Sequence, residues 1–298
     1  MKIAICGGTG FIGQSLIKYW ITQGHHIIII TRQDPSHTTV TNKQLEYITW
    51  DQINHNPETL ESLDALINLA GASLSQKWTN PAKQRIIESR LITVSAVNKL
   101  ISRLNTKPAV IIQASAVAIY GTSLEETFEE TSPTHVVDFP SGVVQQWEEA
   151  ADHIVGVRLV KLRISVVLGN DGGAYPMMRL PFKLGVGGRI GSGQQWMSWI
   201  HIVDMVRLIE FCILNPNIEG AVNASAPHPV TNDQFGRAVA AIHHRPYWFP
   251  IPSFLLKGIV GELSLILLEG QRVIPSKALQ HGFVFRYPEI QGAIQDLK

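Results

Sequence analysis

Gly7-Gly8-Thr9-Gly10-Phe11-Ile12-Gly13 is the stretch on which the reading of this chain turns. It has the form G-x-x-G-x-x-G. It follows the apolar run Lys2–Cys6, a strand candidate, and opens the helical pattern Ile12–Gln23. That strand-loop-helix context gives the glycines a physical task. They permit a tight turn and let backbone N–H groups approach a pyrophosphate, while Gly13 permits close helix–strand packing. The helix N-terminus adds unpaired N–H groups and a dipole that favours an anion. The loop therefore implies a bound dinucleotide.

The next strand candidate, His26–Thr31, runs into Arg32. A site for NAD(H) usually places an acid near this point, hydrogen-bonded to the ribose 2′-hydroxyl. Arg32 cannot accept such a bond, but its guanidinium matches a 2′-phosphate. The sequence thus predicts NADP(H), the other reading of Arg32 being a solvated loop residue. The nearest acid, Asp34, precedes Pro35 in an expected turn.

Further strand candidates are Glu46–Thr49, Ala65–Leu69, Ala109–Ala114 and Gly156–Leu168, with helical patterns at Pro81–Leu104 and Val143–His153. Alternating β and α segments imply an α/β fold, a Rossmann doubly wound parallel sheet. After Gly169 the character changes. Gly172-Gly173 and the stretch Gly185 to Gly193 read as loops, and Pro227, Pro229, Pro246, Pro250 and Pro252 punctuate the C-terminal part. Between them Trp199–Leu214 predicts a strand and helix returning to the Rossmann sheet. The expected division is a dinucleotide-binding domain over 1–168, completed by 199–224, and a smaller substrate-side lobe over 169–198 and 225–298.

The 298 residues carry a net charge of +1, which offers no electrostatic bias toward nucleic acid or an anionic membrane. Two cysteines, Cys6 and Cys212, supply neither a metal cluster nor a disulfide framework. Adjacent His25-His26 and His243-His244 lack metal-ligand spacing, so no metal is expected. The N-terminus enters the glycine motif directly, without a signal-peptide pattern. A cytoplasmic setting is the expectation. The apolar stretch Phe254 to Leu268 is interrupted by Lys257 and Glu262 and is too short for a membrane span; it predicts an amphipathic or buried helix.

With these landmarks assembled, the chain resembles the extended short-chain dehydrogenases. Gly7–Gly13, Asn68-Leu69-Ala70-Gly71, Ser115 to Gly121 (S-A-V-A-I-Y-G) and Gly191 to Asp204 (G-S-G-Q-Q-W-M-S-W-I-H-I-V-D) follow that superfamily's ordered motifs. Leu180-Pro181-Phe182-Lys183-Leu184-Gly185 and Leu268 to Pro275 resemble its epimerase-family branch, which carries a C-terminal domain of unknown function. The resemblance implies an epimerase-like oxidoreductase with a small-molecule substrate that the sequence does not identify, and it leaves a homo-oligomer open. It places Gly7, Gly10, Phe11, Ile12 and Gly13 on the phosphates, and Thr31 and Arg32 at the 2′-phosphate. Asp51 falls beside the adenine and Leu69, Ala70 and Gly71 along the ribose. Arg90 either reaches the phosphates or is a helix-surface arginine.

The catalytic pattern departs from the superfamily. Its tyrosine, with a lysine four residues later, transfers a proton; a phenol with a pKa near 10 needs that cation close by. Here Phe139 and Val143 take the two positions, and the chain contains no Tyr-x-x-x-Lys. The superfamily serine position holds Ala116, with Ser115 one residue earlier. Ser115 and Tyr120 remain the candidate catalytic hydroxyls. On the substrate side, Met197-Ser198-Trp199 replaces the Arg-Asp-Phe common in nucleotide-sugar enzymes. Trp196, Met197 and Trp199 either wall an apolar or flat substrate or pack between domains. His201 with Asp204 reads as a helix start. The missing proton-transfer pair keeps a second class open: a non-catalytic NADP(H)-binding sensor, scaffold or assembly factor.

Overall fold

A computed structural model describes residues 1–32 and 42–298; Asp34 and Pro35 lie outside the described residues. The first half runs β1 (Lys2–Cys6), α1 (Phe11–Ile21), β2 (His26–Thr31), β3 (Leu45–Thr49), α2 (Trp50–His55), β4 (Ala65–Asn68), α3 (Asn80–Arg103) and β5 (Val110–Ala116). It continues through β6 (Thr127–Phe128), α4 (Phe139–Ala151), β7 (Arg158–Ile164) and β8 (Val166–Leu168). Next come α5 (Tyr175–Lys183), β9 (Trp196–Met197), β10 (Trp199–His201), α6 (Ile202–Leu214) and β11 (Gly220–Ala224). The C-terminal part adds β12 (Val230–Thr231), α7 (Asn232–Ile242), α8 (Ser253–Val260), α9 (Leu265–Leu268), β13 (Arg272–Val273), α10 (Ser276–Gln280) and α11 (Ile290–Asp296).

Seven parallel strands form the main sheet in the order β11-β7-β5-β4-β1-β2-β3. The order reverses between β1 and β4, and ligands of open α/β sheets bind at such a switch, outside the carboxyl ends of the strands. The apolar runs suit a sheet covered on both faces. Ile3 and Ile5 of β1 join Leu16, Trp20, Met205 and Leu208 of α1 and α6 on one face. Ala4 and Cys6 join Val94, Val97 and Trp147 of α3 and α4 on the other. The alternation is the two-residue period of a strand. Cys6 and Cys212 are both buried thiols.

Four expectations need correction. Gly156–Leu168 is not one strand. It breaks at Ser165, where Ser165 Oγ donates to the Ala224 carbonyl (2.7 Å), so β7 stays in the main sheet and β8 leaves it. Trp199–His201 pairs with β8 in a separate two-stranded sheet, and β11 is the later strand that joins β7. Helix α4 begins at Phe139 rather than Val143, because Asp138 caps it by accepting from Ser141 N–H (2.8 Å) and Pro140 suits the first turn. The segment Phe254 to Leu268 is not a continuous helix; Gly261, at φ +60°, ends α8, and Phe254 is 70% exposed.

His201 caps α6 through Nδ1, which accepts from Val203 N–H (3.2 Å). The fully buried Asp204 accepts the backbone N–H groups of Arg286 and Tyr287 (both 2.8 Å) and ties α6 to the C-terminal segment. Among the described residues no helix is long and apolar enough to cross a membrane, and no group of acidic, histidine and cysteine side chains could hold a metal ion.

Candidate functional site

The glycine loop after β1 is built by close approach. Gly7 has φ +82°, and a Cβ there would lie 2.9 Å from Ala70 N. A Cβ on Gly13 would meet Gly7 O at 2.5 Å. Gly10 donates its N–H to Gly7 O (3.0 Å) and caps α1 without any side-chain hydrogen bond, so the first-turn N–H groups face no side-chain acceptor. The result is a concave run of backbone N–H groups beside the β4 loop, which a pyrophosphate fits and a side chain would fill. Phe11 lies under the loop after β8: a Cβ on Gly172 would come 2.9 Å from its ring. Ile12 packs against the core on the α1 face.

At the edge of the sheet, Thr31 pairs in register with Thr49. Arg32 and Trp50 therefore follow the ends of neighbouring strands β2 and β3, Trp50 opening α2 with Asp51 in its first turn. Arg32 and Asp51 are exposed. Arg32 thus presents its guanidinium to solvent just past the carboxyl end of β2.

Leu69, Ala70 and Gly71 form the loop after β4. Ala70 N–H donates to Asn68 Oδ1 (3.3 Å), and Ala72 N–H donates to Ser89 Oγ (2.9 Å). Arg90 braces this loop: its Nη1 donates to the carbonyls of Ala72 (3.0 Å) and Ile86 (2.9 Å), and its guanidinium stacks 4.9 Å from the Trp147 ring. Arg90 is buried and, among the described residues, has no carboxylate within ion-pair distance. Burial brings its pKa down to about 10. It is not a helix-surface arginine.

Ser115 and Tyr120 meet in one buried network. Ser115 Oγ donates to Glu148 Oε1 (2.6 Å), and Arg163 clasps the same carboxylate through Nε (2.9 Å) and Nη2 (3.0 Å). Arg163 Nη1 donates to Tyr120 Oη (2.9 Å), and Tyr120 donates to Asn223 Oδ1 (2.8 Å). Burial pushes the Tyr120 phenol above its usual range despite Arg163 and Asn223. Burial also works to raise the Glu148 carboxyl, but Arg163, Ser115 and Lys161 together hold it below the usual carboxylate range. Both hydroxyls are spent on neighbours and closed to solvent. The expectation that either stands over a nicotinamide gains no support from this geometry.

The place of the superfamily's proton-transfer pair is apolar. Val143 is buried in a cluster with Trp78 and Ile86, and Phe139, Ala72 and Leu263 pack against it. Lys83 lies 5.1 Å over the Phe139 ring and pairs with Glu262. The C-terminal segment thereby reaches back to α3 and α4. From the sequence, Trp78, Leu263, Glu148 and Arg163 take no role, and Glu262 reads only as a break in an apolar stretch. Charged residues within an apolar strand, Arg163 among them, are the visible signal.

A second feature lies in the other lobe. A cavity of about 320 Å³ is lined by α5, β9, the start of α7 and residues of α8 and α9. Trp196 and Met197 line it; Trp199 is instead fully buried in the core.

The parallel sheet, the switch point and the glycine cradle define a Rossmann-type nucleotide-binding protein. Residues 3–224 match the NAD dependent epimerase/dehydratase family, and residues 251–297 match a domain of unknown function, DUF1731. The chain belongs to that epimerase/dehydratase family. It is 43% identical to the epimerase family protein YfhF of Bacillus subtilis (100% of this chain, 98% of that protein). It is 41% identical to the epimerase family protein SSP1921 of Staphylococcus saprophyticus (98% of each). Among solved structures, the human epimerase family protein SDR39U1, crystallised with NADPH, superposes with a TM-score of 0.91 at 34% identity, covering 100% of this chain and 99% of that one.

Proposed function

We propose that the protein binds NADP(H) and uses it in an oxidation or reduction of a small-molecule substrate held between the Rossmann sheet and the second lobe. The observation that carries this reading is the cradle of Gly7, Gly10 and Gly13 at the start of α1, which no side chain caps, with Arg32 exposed just past the end of β2. The NADPH in the human relative's structure supports the same cofactor. Gly7, Gly10, Phe11, Ile12 and Gly13 hold the pyrophosphate; Thr31 and Arg32 take the 2′-phosphate; Asp51 flanks the adenine. Leu69, Ala70 and Gly71 run along the ribose, and Arg90 keeps that loop in position. When bound, the nicotinamide supplies a hydride donor or acceptor. The chain's own task is then to orient the substrate and exclude water. Ser115 and Tyr120 serve the fold, so the proton is taken from water or from the substrate lobe.

The test is NADPH consumption by the purified full chain with a panel of neutral aliphatic and aromatic aldehydes and ketones. Steady turnover supports the oxidoreductase. Tight NADPH binding without turnover on any member supports the second reading, a non-catalytic NADP(H)-binding sensor, scaffold or assembly factor. The apolar cluster of Trp78, Phe139 and Val143 at the proton-transfer position favours that second reading.

A further inference from the structure

The second-lobe cavity has a composition that selects its ligand. Its wall includes Met177, Met178, Phe182, Met197, Phe235 and Ile251, and its single charged lining residue among the described residues is Glu269. A phosphate or diphosphate would meet an apolar surface and a carboxylate, with no lysine or arginine to neutralise it, which is strongly unfavourable. Its volume of about 320 Å³ is that of a small-molecule site.

One polar side chain in the wall is spent on the fold. Gln195, 4% exposed, donates through Nε2 to the carbonyls of Ile190 (3.1 Å) and Leu267 (2.8 Å), which fixes the orientation of its amide. Its Oε1 has no hydrogen-bond partner and is closed to solvent, so the wall presents no free acceptor to a ligand there. The cavity also lies close to the cofactor cradle along the chain. Val166 and Ala174 line it, and Gly169, Gly172 and Gly173 between them press on Phe11 of the phosphate loop. Met177, 72% exposed, and Ile266, 44% exposed, carry the apolar surface out to the mouth.

We infer that this cavity binds an uncharged, predominantly apolar substrate, with an aliphatic or aromatic body, rather than a nucleoside diphosphate sugar. The inference rests on the NADP(H) reading for the chemistry performed and on the cavity for the class of molecule. Flexible methionine side chains adapt the wall to the shape of the body.

N-Phenyl-1-naphthylamine, neutral and apolar, is the probe. The NADPH-saturated full chain is titrated with it and fluorescence is followed. A single saturable site is expected, undisturbed by excess UDP-glucose. Met178→Trp, which fills the cavity at a half-buried position, and Met197→Arg, which adds a cation, should each weaken the probe by about tenfold or more while NADPH affinity holds. Should Met197→Arg fail to fold, Met178→Trp alone decides. Probe binding that does not saturate, that survives Met178→Trp unchanged, or that UDP-glucose displaces overturns the inference. Absence of NADPH binding would instead strike the proposed function, and the same titration without NADPH would still judge the cavity.

Discussion

Phe139 meets Trp78 edge to face, with ring centroids 5.1 Å apart and planes at 65°. Val143, one helical turn on, lies 4% exposed in the same cluster. The two positions differ in what they tolerate. Phe139 is half-buried, so Phe139→Tyr leaves its hydroxyl a path to water and should change stability by less than about 1 kcal/mol. Val143→Lys places an ammonium in an apolar cluster, which should cost on the order of 2–4 kcal/mol and drive the lysine pKa down. Thermal melting of the two variants checks this; equal melting temperatures would show that the cluster is open to water. Restoring the superfamily pair therefore requires rebuilding the surroundings of Val143 as well.

Ser115 and Tyr120 should behave as structural groups. Tyr120→Phe leaves Asn223 Oδ1 and Arg163 Nη1 each without its present partner in the interior. The loss should be about 1–3 kcal/mol in denaturant unfolding. Ser115→Ala removes one donor from Glu148 and should cost less. NADPH affinity, measured on the folded variants, should match the wild type. A fall in turnover of an identified substrate with stability preserved would return these hydroxyls to the chemistry.

The Glu148–Arg163 pair gives stability an acid limb. The folded-state pKa of Glu148 lies below its ordinary value of 4.5, so the ionised carboxylate stabilises the fold at higher pH. That contribution is lost as the pH falls below about 4.5 and through the folded value. Glu148→Gln breaks a buried pair and should cost on the order of 3 kcal/mol near neutrality. The gap between wild type and variant should narrow between neutral pH and strongly acidic pH. Unfolding curves across that range test it, and a gap that stays constant would assign the acid limb to other groups.

The local features were legible in the sequence. The glycine loop, the strand His26–Thr31 ending at Arg32, and the β/α alternation all come from short-range spacing. Arg90 was legible as a position but not in its role, because the loop it braces is 18 residues away in sequence. Ser115 shows the limit most plainly. A one-residue offset in a strand sends a side chain to the opposite face, and Ser115 accordingly points to Glu148 on α4. The break at Ser165 was hidden because an unbroken apolar run can belong to two sheets. Trp78, Leu263 and the Lys83–Glu262 pair were invisible because chain segments far apart in sequence bring them together.

The proposed cofactor preference rests on one side chain. Arg32 stands at the β2 edge where an NAD(H) site keeps an acid, and a 2′-phosphate on this guanidinium contributes about 1.5–3 kcal/mol, or roughly ten- to a hundredfold in affinity. Calorimetric titration of the full chain with NADPH and with NADH, repeated on Arg32→Asp, is the most direct measurement. Tighter binding of NADPH by that factor is expected, with a preference for NADH in the variant. Equal affinities of the wild type for the two nucleotides, or tighter binding of NADH, would contradict it.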